Sequence, residues 1–296
     1  MSEEELKSMR HSLAHIMAQA IQHLWPQAKF GVGPAIDNGF YYDVYLDNGT
    51  ISEADLPKIE EEMRKIVAAN YPFERRDVSV EEAIDWAISG NQSFKVELLN
   101  DLKRSGTTIA SELAGEKMGS VSDGDSKVET VSLYSQGDYT DLCRGGHVDS
   151  TGKVGAFKLA KTAGAYWRGN ENNPQMQRIY GVAFATQEEL DEYINRLEIA
   201  KQRDHRKLGK ELDLYTTSPL VGIGLPLFTP RGTILRDIVA QYSNQLRQKF
   251  GFEKVWTPHI TKKDLYETSG HWAKFGEELF LVKSQETSDE MALKPM

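Results

Sequence analysis

The sequence predicts an α+β protein built as two domains joined by a helix, and three observations carry that prediction. The chain has 296 residues, 40% of them apolar, enough for two hydrophobic cores. Its helical and strand-like stretches mix without the strict alternation of a doubly wound sheet. One long stretch of helical period, from Thr186 to about Lys210, separates a mixed first region from a second that opens on its own helix. The expected segments are 1–185, 186–211 and 212–296.

In residues 4–25, Leu6, Met9, Leu13, Ile16, Met17, Ala20, Ile21 and Leu24 recur at three and four, the stripe of an amphipathic helix that Trp25-Pro26 ends. Residues 40–46 are rich in β-formers and alternate weakly, with turn signals at Asn38-Gly39 and Asp47-Asn48-Gly49. A second helix follows Ser52. Glu53 and Asp55 suit the positive end of its dipole, and Leu56, Ile59, Met63, Ile66 and Val67 make its buried stripe. Residues 73–78 read as a strand, and Ser79 with Glu82 as a capping box for a helix through Ile88. Residues 93–99 read as another short strand. Residues 104–130 are dominated by Ser, Gly, Thr, Asp and Lys with faint periodicity, as in a surface excursion. Strands at 131–134, 157–162 and 178–185 complete the first domain.

Thr186 with Glu189 forms a second capping box, and Leu190, Tyr193, Ile194, Leu197, Ala200, Leu208 and Leu212 track one face of the linker helix. In 232–250, Ile234, Ile238, Tyr242, Leu246 and Phe250 fall at every fourth position. Gly251 suits the left-handed position after that helix, and 253–257 reads as a strand stopped by Pro258.

Composition excludes several classes. A lone cysteine, Cys143, rules out an internal disulfide framework and suits a reducing cytosol. The start Met1-Ser2-Glu3-Glu4-Glu5 is acidic where a secretory signal is basic and then apolar. No run approaches ~18 apolar residues, so no membrane span is expected. A formal net charge of −9 argues against a nonspecific nucleic-acid binder. Lys201, Arg203, Arg206, Lys207 and Lys210, opposed only by Asp204, still offer a local basic surface or simply a solvated helix face.

Two pairs carry chemistry. His11 and His15 stand four apart on the first helix, and so do Cys143 and His147 in Asp141-Leu142-Cys143-Arg144-Gly145-Gly146-His147. Three imidazoles and a thiol can coordinate a metal, orient a water or grip a polar substrate. The spacing alone is weak evidence: with seven histidines in the chain, one such His pair arises by composition in roughly one case in six.

The surrounding words are more specific. His11-Ser12-Leu13-Ala14-His15, Gly31-Val32-Gly33-Pro34, Asn38-Gly39-Phe40-Tyr41-Tyr42-Asp43, Thr140-Asp141-Leu142-Cys143-Arg144-Gly145 and Thr162-Ala163-Gly164-Ala165-Tyr166-Trp167-Arg168-Gly169 resemble the editing domain of bacterial threonyl-tRNA synthetases. Arg203-Asp204-His205-Arg206-Lys207-Leu208-Gly209-Lys210-Glu211-Leu212 resembles the linker of that family. Thr268-Ser269-Gly270-His271-Trp272 and Ala292-Leu293-Lys294-Pro295-Met296 resemble the start of its class II catalytic domain. The resemblance runs nearly end to end and in order. It implies an editing-type domain, a long linker helix, and the truncated start of a class II antiparallel-sheet domain. The helix, strand and proline at 232–258 resemble motif 1, which builds the homodimer interface in that class.

The resemblance implies a reaction. A pocket for threonine cannot exclude serine, because one missing methyl is worth only ~1–3 kcal/mol. A second site must therefore hydrolyse the L-serine ester of tRNA(Thr), with a positioned water, a proton acceptor and an oxyanion stabiliser. By resemblance, His11, Lys95 and His147 are the catalytic candidates, and His15, Tyr42, Asp141 and Cys143 line the substrate pocket. Cys143 has three readings: nucleophile, zinc ligand with His11, His15 and His147, or neutral thiol in the wall. Editing is expected to need no cofactor. The parent enzyme would use L-threonine, ATP, Mg2+ and one catalytic zinc ion, in the cytoplasm.

Two departures stand out. The family usually has proline where Gly146 stands, so this loop is expected to be looser. Only ten residues precede His11, leaving no room for the family's small N-terminal domain, and the chain stops where motif 2 should begin. Pyrophosphate exchange is therefore not expected of it. A free-standing trans-editing hydrolase, a zinc-dependent ester hydrolase on the same fold and a non-catalytic tRNA-binding module are the alternatives.

Overall fold

The structure, a computed structural model, describes residues 1–105, 128–222, 224–283, 286 and 289–294. Most of the expected 104–130 excursion, residues 106–127, lies outside them. The chain divides into two compact units, Met1–Lys201 and Gln202–Met296.

The first unit is α+β. Its helix α1 (Glu3–Leu24) opens on a complete capping box between Ser2 and Glu5, with three glutamates in the first turn at the positive end of the dipole. From Ser12 to Ile21 every residue is buried, so this middle stretch of α1 is packed on all sides rather than showing one wet face. Around it stand β1 (Lys29–Phe30), β2 (Ala35–Ile36), β3 (Gly39–Tyr45), β7 (Ala156–Tyr166) and β8 (Gln175–Phe184). They form one antiparallel sheet in the order β1-β3-β8-β7, with β2 also on β3. Helix α2 (Leu56–Ala69) joins α1, and Leu13, Ile16, Met17, Phe40, Val44, Ile59, Met63 and Ile179 fill the core between helices and sheet. Arg178 clamps β8 to β3 by a two-pronged pair with Asp43 at 2.7 and 2.9 Å.

A second antiparallel sheet, in the order β4-β5-β6, comprises β4 (Glu74–Ser79), β5 (Thr130–Gln136) and β6 (Tyr139–Leu142). Helices α3 (Val80–Ser89) and α4 (Ser93–Ser105) share a cluster with it through Val78, Ala87, Phe94, Leu98, Leu102 and Leu133. The segment 93–99, expected as a strand, is the first half of α4. Phe94, Leu98 and Leu102 are one helical face, a period that a seven-residue window is too short to display.

The single helix expected over 186–211 is likewise broken. Helix α5 (Gln187–Gln202) starts on the expected Thr186–Glu189 box. It stops at Gln202, and α6 (His205–Glu211) restarts on Asp204, whose carboxylate caps the Arg206 N–H. In the second unit β9 (Tyr215–Thr216) pairs with β10 (Leu227–Phe228), and α7 (Pro230–Lys249) is capped by Thr229. A sheet in the order β11-β13-β12 (Ile260–Lys262, Leu281–Lys283 for β12, Glu290–Leu293 for β13) carries α8 (Lys263–Thr268) and α9 (His271–Phe275). Residues 253–257 form no strand: Val255 and Trp256 are 79% and 83% exposed, without the pairing partner that a ladder requires. Among the described residues no helix is long and apolar enough to cross a membrane.

Candidate active site

In the first unit, α1 meets the loop that leaves β6. One helical turn separates His11 from His15, whose rings lie edge to face with centroids 5.0 Å apart. Cys143 follows β6 directly, and the chain then turns through Gly145 at φ +109° and Gly146 at φ +81°, conformations that favour glycine. A Cβ on Gly145 would stand 2.4 Å from the Tyr134 hydroxyl, so this turn lies tightly on β5. Proline, fixed at φ of about −65°, cannot occupy the backbone that Gly146 adopts.

The turn delivers His147 onto His11, with the rings stacked at 4.6 Å. Phe73 also stacks on His147, at 4.7 Å, and His15 meets it edge-on at 4.4 Å. The Cys143 sulfur stands 3.0 Å from His11 Nε2 and 3.3 Å from His147 Nε2. Gly145 N–H donates to the same sulfur at 3.3 Å. Burial, then His11 and Lys95, push the His15 pKa well below the ordinary histidine value. Burial, then His15 and His11, depress that of His147. Both rings are therefore neutral near pH 7, each keeping one nitrogen lone pair as acceptor or ligand.

This group fits a metal. One ligand atom from each of His11, His15, Cys143 and His147 lies within 4.8 Å of the others, and three nitrogens with one sulfur are a tetrahedral zinc donor set. His15 Nδ1 is buried without a hydrogen-bond partner, the kind of orphan that an ion would satisfy. Around a tetrahedral zinc, sulfur and nitrogen would stand about 3.6 Å apart. The two sulfur–nitrogen contacts here are shorter by roughly 0.3–0.6 Å, so the cluster holds hydrogen bonds and would open slightly to admit an ion.

A buried ionic group adjoins it. Lys95, carried on α4, donates to Asp141 Oδ1 at 2.6 Å and to Tyr42 Oη at 3.1 Å. Tyr42 donates in turn to Asp141 Oδ2, and Leu142 N–H to Oδ1 at 2.8 Å. Lys95 is 3% exposed and Asp141 2%. Burial, then Asp141, hold the Tyr42 pKa well above the usual tyrosine value, so its hydroxyl stays a donor. A Cβ on Gly33 would stand 2.2 Å from the Tyr42 ring, so glycine makes room for this tyrosine. Lys95, Asp141 and Tyr139 line a cavity of about 160 Å³ together with Phe30, Trp86 and Gln92. His15 joins the two groups, its ring edge-on to Tyr42 at 6.5 Å and to Tyr139 at 6.4 Å.

All seven residues singled out in the sequence thus sit in two adjoining groups. Ser12, Phe73 and Tyr139 were not anticipated. Ser12 had a signal, its place inside the histidine pair; Phe73 and Tyr139 reach the site only through tertiary packing.

Residues 131–180 match the family described as the threonyl and alanyl tRNA synthetase second additional domain. Over 293 residues, 99% of this chain, the sequence is 45% identical to a threonine--tRNA ligase of Geobacillus sp. (strain WCH70), covering 42% of that protein. Threonine--tRNA ligase 1 of Bacillus subtilis (strain 168) is 46% identical over 295 residues, covering 100% of this chain and 42% of its own length. The ligase of Dehalococcoides mccartyi (strain ATCC BAA-2100 / JCM 16839 / KCTC 5957 / BAV1) is 46% identical over 292 residues, 99% of this chain and 45% of its own. The chain therefore spans less than half the length of these curated relatives.

Proposed function

We propose that this chain is a piece of a threonine--tRNA ligase that carries its editing domain, and that it hydrolyses serine from tRNA(Thr). The observation that carries the proposal is the convergence of His11, His15, Cys143 and His147 beside the Lys95–Asp141–Tyr42 group, in a chain about 45% identical to such ligases. In this reading 1–185 is the editing domain, 186–211 the linker and 212–296 the first part of the aminoacylation domain. The parent enzyme would join L-threonine to tRNA(Thr) with ATP and Mg2+, as a homodimer with one catalytic zinc ion.

In the reaction, water attacks the ester carbonyl, the bond to the terminal ribose oxygen breaks, and that oxygen takes a proton. His11, half-buried, orients the water and accepts its proton, and His147 holds the Cys143 sulfur on its other side. Lys95 has three N–H donors, two of them given to Asp141 and Tyr42. The third is proposed to face the developing oxyanion. Cys143 acts as a neutral thiol in the wall. Threonine is excluded because its methyl has no room where serine fits.

The orphaned His15 Nδ1 favours a second reading, in which His11, His15, Cys143 and His147 hold a zinc ion. With all four positions taken by protein, such an ion would activate a water only if one ligand were released or a fifth position were added. One experiment tests both. Seryl-tRNA(Thr) deacylation is followed for the wild-type chain, with and without prior chelation, and for His11→Ala. The substitution should slow hydrolysis by ~10²–10⁴-fold, and chelation should leave the wild-type rate intact. A drop of less than a few-fold in His11→Ala would remove His11 from the mechanism. Loss of activity on chelation, with stoichiometric zinc found before it, would favour the metal reading.

A further inference from the structure

We propose that Ser12 is a positioning residue: it fixes His147 as the Nδ1–H tautomer, with its Nε2 lone pair turned to the Cys143 sulfur. The inference follows from counting protons. Ser12 is fully buried, and its hydroxyl has three partners: the Ser8 carbonyl at 2.8 Å, the Val148 N–H at 3.0 Å and His147 Nδ1 at 3.3 Å. A hydroxyl has one proton. A carbonyl cannot donate, so two oxygens at 2.8 Å place that proton between Ser12 and Ser8. The Val148 N–H can only donate, so it takes one lone pair of the hydroxyl. His147 Nδ1 must then be the donor to the other lone pair, because the alternative faces two lone pairs across a buried contact.

The consequence passes along the cluster. With its proton on Nδ1, neutral His147 offers a lone pair at Nε2, 3.3 Å from Cys143 Sγ. The same sulfur meets His11 Nε2 at 3.0 Å and the Gly145 carbonyl at 4.0 Å. Two donations thus run in series, from His147 to Ser12 and from Ser12 to the α1 backbone. They set which His147 nitrogen is basic, a choice that the loop alone leaves open. Ser12 itself touches no substrate.

The tautomers can be read without any substrate, by long-range proton–nitrogen NMR of the full chain carrying ¹⁵N-histidine, with signals assigned through their loss in His11→Gln and His147→Gln. His147 should show a protonated Nδ1 and an acceptor Nε2. A wild-type His147 protonated on Nε2 would overturn the proposal, whatever the enzyme hydrolyses. Ser12→Ala should redistribute the His147 proton between the two nitrogens and slow deacylation by roughly 10–100-fold, as losing the partner that orients a histidine does elsewhere. Ser12→Thr, which keeps the hydroxyl, should restore both. An unchanged His147 tautomer in a folded Ser12→Ala protein would also overturn it. As a statement about hydrolysis the inference rests on the editing reading. The predicted tautomers in a wild-type chain inert toward seryl-tRNA would sink that reading and leave the positioning role of Ser12 standing.

Discussion

Lys95 shows most clearly what a single residue does here. Its ammonium and the Asp141 carboxylate are both buried and meet at 2.6 Å, so each is the other's compensating partner. Removing one member of such a pair costs about 3–5 kcal/mol, because the survivor is left uncompensated, whereas replacing both by apolar groups can be nearly neutral. Lys95→Met should therefore destabilise the first unit by about 3–5 kcal/mol in urea unfolding, and Lys95→Met with Asp141→Leu should recover most of the loss. A single substitution costing under about 1 kcal/mol would mean that the pair is more hydrated than its geometry indicates. Six of the seven site residues could be read from the sequence because each lies in a specific word, and Lys95 came from the resemblance alone. Their division into a neutral imidazole–thiol group and a buried ionic group could not, since the contact of Lys95 with Asp141 depends on how α4 packs against β6.

At the scale of elements, α4 was the main misreading. Its apolar residues suit either period over seven residues, and only the continuation to Leu102 selects the helix. Its placement comes from Tyr166-Trp167-Arg168-Gly169, a segment whose words matched a family but suggested no role. Arg168, at φ +55°, pairs with Glu97 at 3.1 Å and Asp101 at 2.5 Å, and Trp167 Nε1 donates to Glu97 at 2.9 Å. This clamp anchors α4, and with it Lys95. A second tie joins α1 to α2 and to the β5–β6 turn. His23 Nδ1 meets Glu62 at 2.8 Å, and Nε2 meets Asp138 at 3.0 Å. Burial works against protonation of His23, but the bonds from Glu62 and Asp138 outweigh it and raise the pKa. A histidine whose folded pKa lies above its unfolded value of about 6.5 stabilises the fold fully below that value. The contribution fades as pH rises through the raised folded pKa. The melting temperature should thus fall across this window in the wild type, and that fall should be smaller in His23→Gln. An identical slope in the two proteins would show that the tie contributes nothing.

Across the whole molecule the two units differ in how completely they bury what they own. The first unit holds two apolar clusters and the entire candidate site. In the second, the apolar face of α7 lies open, with Ile234 at 62% and Tyr242 at 62% exposure. The helix was legible because Ile234, Ile238, Tyr242 and Leu246 keep a strict four-residue repeat. The strand expected after it was not formed, because β-propensity without a paired neighbour makes no ladder. The editing reading therefore stands on the first unit, and its selectivity is the sharpest test. First-order deacylation rates of seryl-tRNA(Thr) and threonyl-tRNA(Thr) should be compared with the full chain under identical conditions. A pocket that admits serine and excludes one more methyl should favour the seryl ester by at least about 10-fold. Equal rates on the two esters, or no hydrolysis of either above the enzyme-free rate, would contradict the assignment.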